Sequence, residues 1–77
     1  MKIKVLFFGV LTEVVKENTM VVPGEKSLAE LERQLIADYP KIQQYSYQVF
    51  VNRERSSGKK VLKDGDEVAF LPPFAGG

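Results

Sequence analysis

Ile3, Val5 and Phe7 recur at every second position at the start of the chain, with Lys2 and Lys4 between them. β-Branched and aromatic residues at a period of two predict a strand over 2–8. Its core face carries Ile3, Val5 and Phe7. Its opposite face starts charged, at Lys2 and Lys4, and ends apolar, at Leu6 and Phe8. Gly9 closes the strand. Over 10–17 the period changes: Leu11, Val14 and Val15 stand at near-helical spacing and predict one or two helical turns or a loop. Asn18 suits a left-handed turn. Thr19, Met20, Val21 and Val22 form a short second strand, ended by Pro23 and Gly24. The two strands pair as a hairpin whose long connection carries the helical turn.

Ser27 and Glu30 have the spacing of a capping box, with Ser27 as N-cap and Glu30 reaching back. Leu28, Leu31, Leu35 and Tyr39 then recur at steps of three and four, with Ile36 beside them, so one stripe of a helix is apolar. Glu30, Glu32, Arg33, Gln34 and Asp38 belong to its solvated side. Pro40 stops the helix near Tyr39. Residues 41–46 are a polar connector anchored by Ile42 and Tyr45. A third strand follows over 47–52, with Val49 and Val51 on one face and Phe50 on the other. Residues 52–57 are charged and turn-forming, and Gly58 closes that loop. Lys60 and Val61 form a very short strand, with Leu62 tucked inward. Asp64-Gly65-Asp66 is a tight turn, and the last strand covers 67–71 with Val68 and Phe70 inward and Ala69 and Leu71 outward.

One main helix among strands in this order predicts an α+β domain: a mixed sheet of four to five strands with the helix packed on one face. In the β-grasp arrangement the first and last strands are parallel neighbours at the centre and the third lies beside the last. Leu6, Phe8, Phe50 and Leu71 then share the face away from the helix, where four apolar residues make a patch suited to a partner.

Composition narrows the chemistry. The 77 residues make a single domain, and they include neither Cys nor His. This removes Cys and His nucleophiles, the Ser-His-Asp triad and almost every zinc site. Asp64, Asp66 and Glu67 are too few oxygen ligands for a calcium loop, so they are read as turn chemistry and no metal is expected. Eleven basic and ten acidic residues leave a formal charge of +1, without the basic excess of a nucleic-acid binder. No apolar run is long enough to span a bilayer and no signal-peptide pattern opens the chain. A cytoplasmic protein with neither nucleic acid nor membrane as partner is the expectation.

The remaining candidate is the protruding tail, 72–77. Pro72 and Pro73 donate no ladder hydrogen bonds and favour an extended backbone, so the chain leaves the sheet stiffly. Beyond Pro73, Phe74, Ala75, Gly76 and Gly77 reach at most ~14 Å. Gly76 and Gly77 have no side chains and can thread a narrow channel. The carboxylate of Gly77, ionised at neutral pH with a reference pKa of ~3.5, is a poor electrophile until activated, and adenylation by ATP is the usual route.

The start at Ile3–Phe8, the Val51-Asn52 pair, the stretch Leu62-Lys63-Asp64-Gly65-Asp66-Glu67-Val68-Ala69-Phe70-Leu71-Pro72-Pro73 and the final Gly76-Gly77 together resemble one family. It is the small, sulfur-carrier subunit of molybdopterin synthase, among the ubiquitin-like sulfur carriers. The resemblance implies that Gly77 is adenylated by an ATP-dependent activating enzyme and converted to a thiocarboxylate with sulfur from a donor protein. The tail then inserts into the large synthase subunit, which transfers the sulfur to a cyclic pyranopterin precursor. It implies a heterotetramer with two of each subunit, catalytic side chains on the large subunit, and no permanently bound cofactor on the small one. Leu6, Phe8 and Leu71 match positions at or near the partner-facing sheet surface. An Arg common in the family after the first strand is replaced by the Thr12-Glu13 stretch. Carriers for thiamine or another sulfur pathway, and protein modifiers that form isopeptide bonds through the same terminus, are the alternatives. Phe70-Leu71-Pro72-Pro73 favours the molybdopterin branch over the thiamine one.

Overall fold

The computed structural model describes residues 2–23, 27–56 and 58–73. The opening alternation becomes strand β1 (Lys2–Phe7), and the mixed stretch after it becomes a short helix α1 (Val10–Val15). Strand β2 (Thr19–Pro23) returns antiparallel to β1, with Val5 opposite Met20. The main helix α2 (Leu28–Asp38) follows, then a 3₁₀ turn over Pro40–Gln44. Strands β3 (Gln48–Val51), β4 (Glu54–Arg55) and β5 (Glu67–Leu71) complete one sheet in the order β2-β1-β5-β3-β4. β1 and β5 are parallel at its centre, and β3 lies antiparallel to β5. This is the expected β-grasp: an α+β domain with a mixed sheet and one main helix.

The core forms where periods of two and 3.6 meet. Ile3, Val5, Phe7, Val49, Val51, Val68 and Phe70 bury the inner sheet face against Leu28, Leu31 and Leu35 of α2. Phe7 and Phe70 stack with centroids 5.6 Å apart, and Tyr47 meets Phe70 edge-on at 5.3 Å. Leu11 and Val15 anchor α1 to the same core, and Leu62 tucks inward as expected.

Several expectations need correction. Phe8 lies one residue past β1, although its amide still bonds the Phe70 carbonyl at 3.2 Å. The left-handed residue of the first connection is Lys16, the C-cap of α1, and not Asn18. Ser27 caps α2 by accepting from the Glu30 amide at 3.3 Å. The Glu30 carboxylate meets the Ser27 hydroxyl at 3.5 Å, however, and not its backbone amide. Ser27 also pairs with Val61 in an isolated bridge. This isolated bridge is all that forms at 60–61. Tyr45 is exposed, because the 3₁₀ turn spends its inward position on Ile42; Tyr47 is the aromatic anchor instead. Its hydroxyl donates to Glu32 at 2.9 Å, and burial with that carboxylate beside it pushes the phenol pKa well above its usual value. Residues 52–56 are more than a loop: Asn52 and Arg53, both at positive φ, make a two-residue hairpin turn into β4.

Candidate functional site

Leu6, Phe8, Phe50 and Leu71 line one open depression on the sheet face opposite α2. Pairing explains the concavity. Leu6 of β1 and Phe50 of β3 both stand opposite Ala69 of β5, so a methyl lies between two large side chains. Leu71 extends the same row one step toward the tail. The patch is apolar where it is deepest and charged at its rim, where Arg53 and Glu67 stand. Sequence reasoning missed both. Arg53 reaches the rim only because the hairpin turn holds it at φ 71°. Glu67 faces Lys4 across the parallel pair, which only the strand order reveals.

The start of β5 is held by directed polar contacts. The Lys2 amide donates to the Asp64 carboxylate at 2.7 Å, and the Gly65 amide to the Lys2 carbonyl at 2.8 Å. Asp66 accepts from the Asn52 side chain at 2.9 Å and the Lys63 amide at 2.8 Å. Asn52 also takes the Glu67 amide on its side-chain oxygen at 3.0 Å. The Asn52 hydrogen bond, then that from Lys63, holds the Asp66 carboxyl below its usual pKa, since both stabilise the charged form. Gly65 takes φ 84° in open space, so its role is conformational. The Asp-Gly-Asp motif is therefore a clamp on strand pairing. Among the described residues no group of three or more His, Cys, Asp or Glu side chains gathers to hold a metal ion. No helix among them is long and apolar enough to cross a membrane.

The exit of β5 is held differently. After Leu71 come Pro72, half-buried, and Pro73, exposed. Pro72 rests against Gly9, where a β-carbon would stand 2.9 Å from its Cγ. Phe74, Ala75, Gly76 and Gly77 lie outside the described residues. The structure thus brings the predicted patch and the tail's root to the same end of the sheet.

Comparison with known proteins gives a consistent picture. The model of the ThiS family matches residues 5–77. A molybdopterin synthase sulfur carrier subunit from Chlamydomonas reinhardtii is 41% identical over 83 residues, covering 100% of both chains. Its counterpart from Mycobacterium tuberculosis is 36% identical and covers 99% of this chain and 98% of its own. Among solved structures, the complex of subunits 1 and 2 of molybdopterin-converting factor from Helicobacter pylori contains a similar chain. That chain is 28% identical with a TM-score of 0.74, covering 100% of both.

Proposed function

The chain belongs to the ThiS family, and on that premise we propose that it is the sulfur-carrying small subunit of a molybdopterin synthase, with Gly77 as the carrier residue. The observation that carries this reading is the full-length similarity to two subunits bearing that name. In this reading the body of the protein supplies docking and the tail supplies chemistry. With no Cys or His in the chain, the terminal carboxylate is the group best able to hold sulfur.

The Gly77 carboxylate attacks the α-phosphate of ATP, releasing pyrophosphate and forming an acyl adenylate on the activating enzyme. A sulfide-level sulfur from a donor protein then displaces AMP and leaves a thiocarboxylate. In the synthase, the sulfur passes to the pyranopterin precursor, water supplies the returning oxygen, and Gly77 is again a carboxylate. Two rounds build a dithiolene able to bind molybdenum. The chain holds no catalytic side chain in this scheme and is not an enzyme by itself. The large subunit covers Leu6, Phe8, Phe50 and Leu71, in an assembly with two copies of each subunit. Pro72 and Pro73 aim the tail, and Phe74, Ala75 and Gly76 thread it into the partner's site.

Intact mass of the protein purified from its own cells tests the reading. A species with one oxygen replaced by sulfur at Gly77 is expected, and it disappears when Gly77 is deleted or one residue is added after it. Sulfur transfer that survives either change overturns the reading. Conjugates to lysines of other proteins would indicate a modifier instead.

A further inference from the structure

We infer that Gly9 is a positioning residue for the tail: its missing side chain is the seat of the Pro72 ring, and that contact sets the direction in which the chain leaves the sheet. The inference deepens the carrier reading and rests on it for its functional consequence. Four observations converge. A β-carbon on Gly9 would lie 2.9 Å from Pro72 Cγ, closer than two carbons approach without displacement, and in ordinary contact with Cδ at 3.7 Å. The neighbour that must yield is a ring closed on its own backbone nitrogen, so it cannot swing aside as a free side chain would. Gly9 itself cannot retreat, because its carbonyl accepts from the Thr12 amide at 3.1 Å and the Thr12 hydroxyl at 2.7 Å. One residue earlier, the Phe8 amide bonds the Phe70 carbonyl, which fixes the spacing of the two strands just before they part.

Lever geometry gives this contact its consequence. The four residues after Pro73 span at most ~14 Å. A swing of ~20° at Pro72 would therefore displace the far end by ~5 Å, against the ~1 Å misplacement that can cost a hundredfold in rate. A change at Gly9 should therefore slow sulfur transfer while leaving the sheet face able to dock.

Gly9 also stands at φ 58°, ψ −138°, so Gly9→Ala adds backbone strain as well as contact. Gly9→D-Ala, made by total chemical synthesis, avoids both and controls for the added methyl and the lost flexibility of glycine. At these angles a D residue is in its own polyproline region, and its methyl takes the opposite side of the α-carbon. Thiocarboxylate-loaded variants would be measured in single turnover with saturating large subunit and pyranopterin precursor, alongside partner affinity. Cα–Hα residual dipolar couplings of Pro72 and Pro73 report tail direction without reference to activity. Gly9→Ala is expected to slow transfer at least tenfold, change partner Kd less than threefold and alter the Pro73 coupling. Gly9→D-Ala is expected to stay within threefold of the unmodified chain. Pro72→Ala against Pro73→Ala isolates the contact from the strain, and decides alone if Gly9→Ala does not fold. Both lose one stiff residue, but only Pro72 seats on Gly9, so its transfer defect should be at least fivefold the larger. Equal defects in that pair, an equal loss in both position-9 variants, or an unchanged Pro73 coupling in Gly9→Ala overturns the inference. A loaded, unmodified chain that transfers no sulfur overturns the carrier reading instead, and the couplings then decide the inference alone.

Discussion

The two faces of the central strands have the same sequence period and opposite fates. On the inner face Val5 and Val68 are 0% exposed, while on the outer face Leu6, Phe50, Ala69 and Leu71 are only half-buried and Phe8, just past β1, is 44% exposed. The inner residues are buried by α2, which the chain itself supplies. The outer row of Leu6, Ala69, Phe50 and Leu71 is just as apolar, yet no element of the described chain crosses it. Burial, not hydrophobicity, separates a stabilising face from one available for docking. In a domain this small, where stability amounts to ~4–12 kcal/mol in all, leaving that row open forgoes a sizeable contribution.

Four measurements test this contrast. Phe70→Ala removes the ring stacked on Phe7 and met by Tyr47, and should lower unfolding free energy by ~3–5 kcal/mol in chemical denaturation; a loss below ~1 kcal/mol would mean that the inner face is not the core. On the outer face, Phe8→Ala or Leu71→Ala should weaken binding to the large subunit at least tenfold by calorimetry, while stability changes by less than ~1 kcal/mol. Unfolding of these variants with undiminished affinity in the folded fraction would reverse the assignment. Gly65→Ala, at positive φ in open space, should cost ~1 kcal/mol of stability and leave partner affinity unchanged. The smallest effect concerns Asp66. Its folded pKa is depressed, so the stability it contributes is present above the ordinary carboxylate range near ~4 and is lost as pH falls through the lower folded value. Asn52→Ala should flatten that acid limb in a pH series of melting temperatures, and an unchanged limb would show that the Asn52 contact contributes nothing.

The elements whose residues alternate or repeat strongly were legible from sequence. β1, β2, α2, β3 and β5 follow from apolar periods, and the outer patch follows once their order is known. β4 was not legible, because Glu54 and Arg55 are both exposed and give no inside-outside signal. Its turn was hidden as well: Asn52 is a familiar left-handed residue, but Arg53 stands where glycine usually follows. Tyr45 and Tyr47 are equivalent to a reader of hydropathy, and only the 3₁₀ turn decides which points inward. The Gly9–Pro72 contact joins residues 63 positions apart in sequence. No local pattern could have shown it.

The central pairing of β1 with β5 also has a consequence for the chain's birth. β1 precedes the other strands in the chain and β5 follows them, and among the described residues β5 joins the β1–β2 hairpin to the β3–β4 hairpin. A nascent chain stopped before Glu67 has two separate hairpins and no continuous sheet to cover with α2. The sheet can therefore close only once β5 has been made. A fragment that ends before β5 lacks both the tail and the sheet that presents the outer patch, so the order of the strands ties docking to the presence of the last strand.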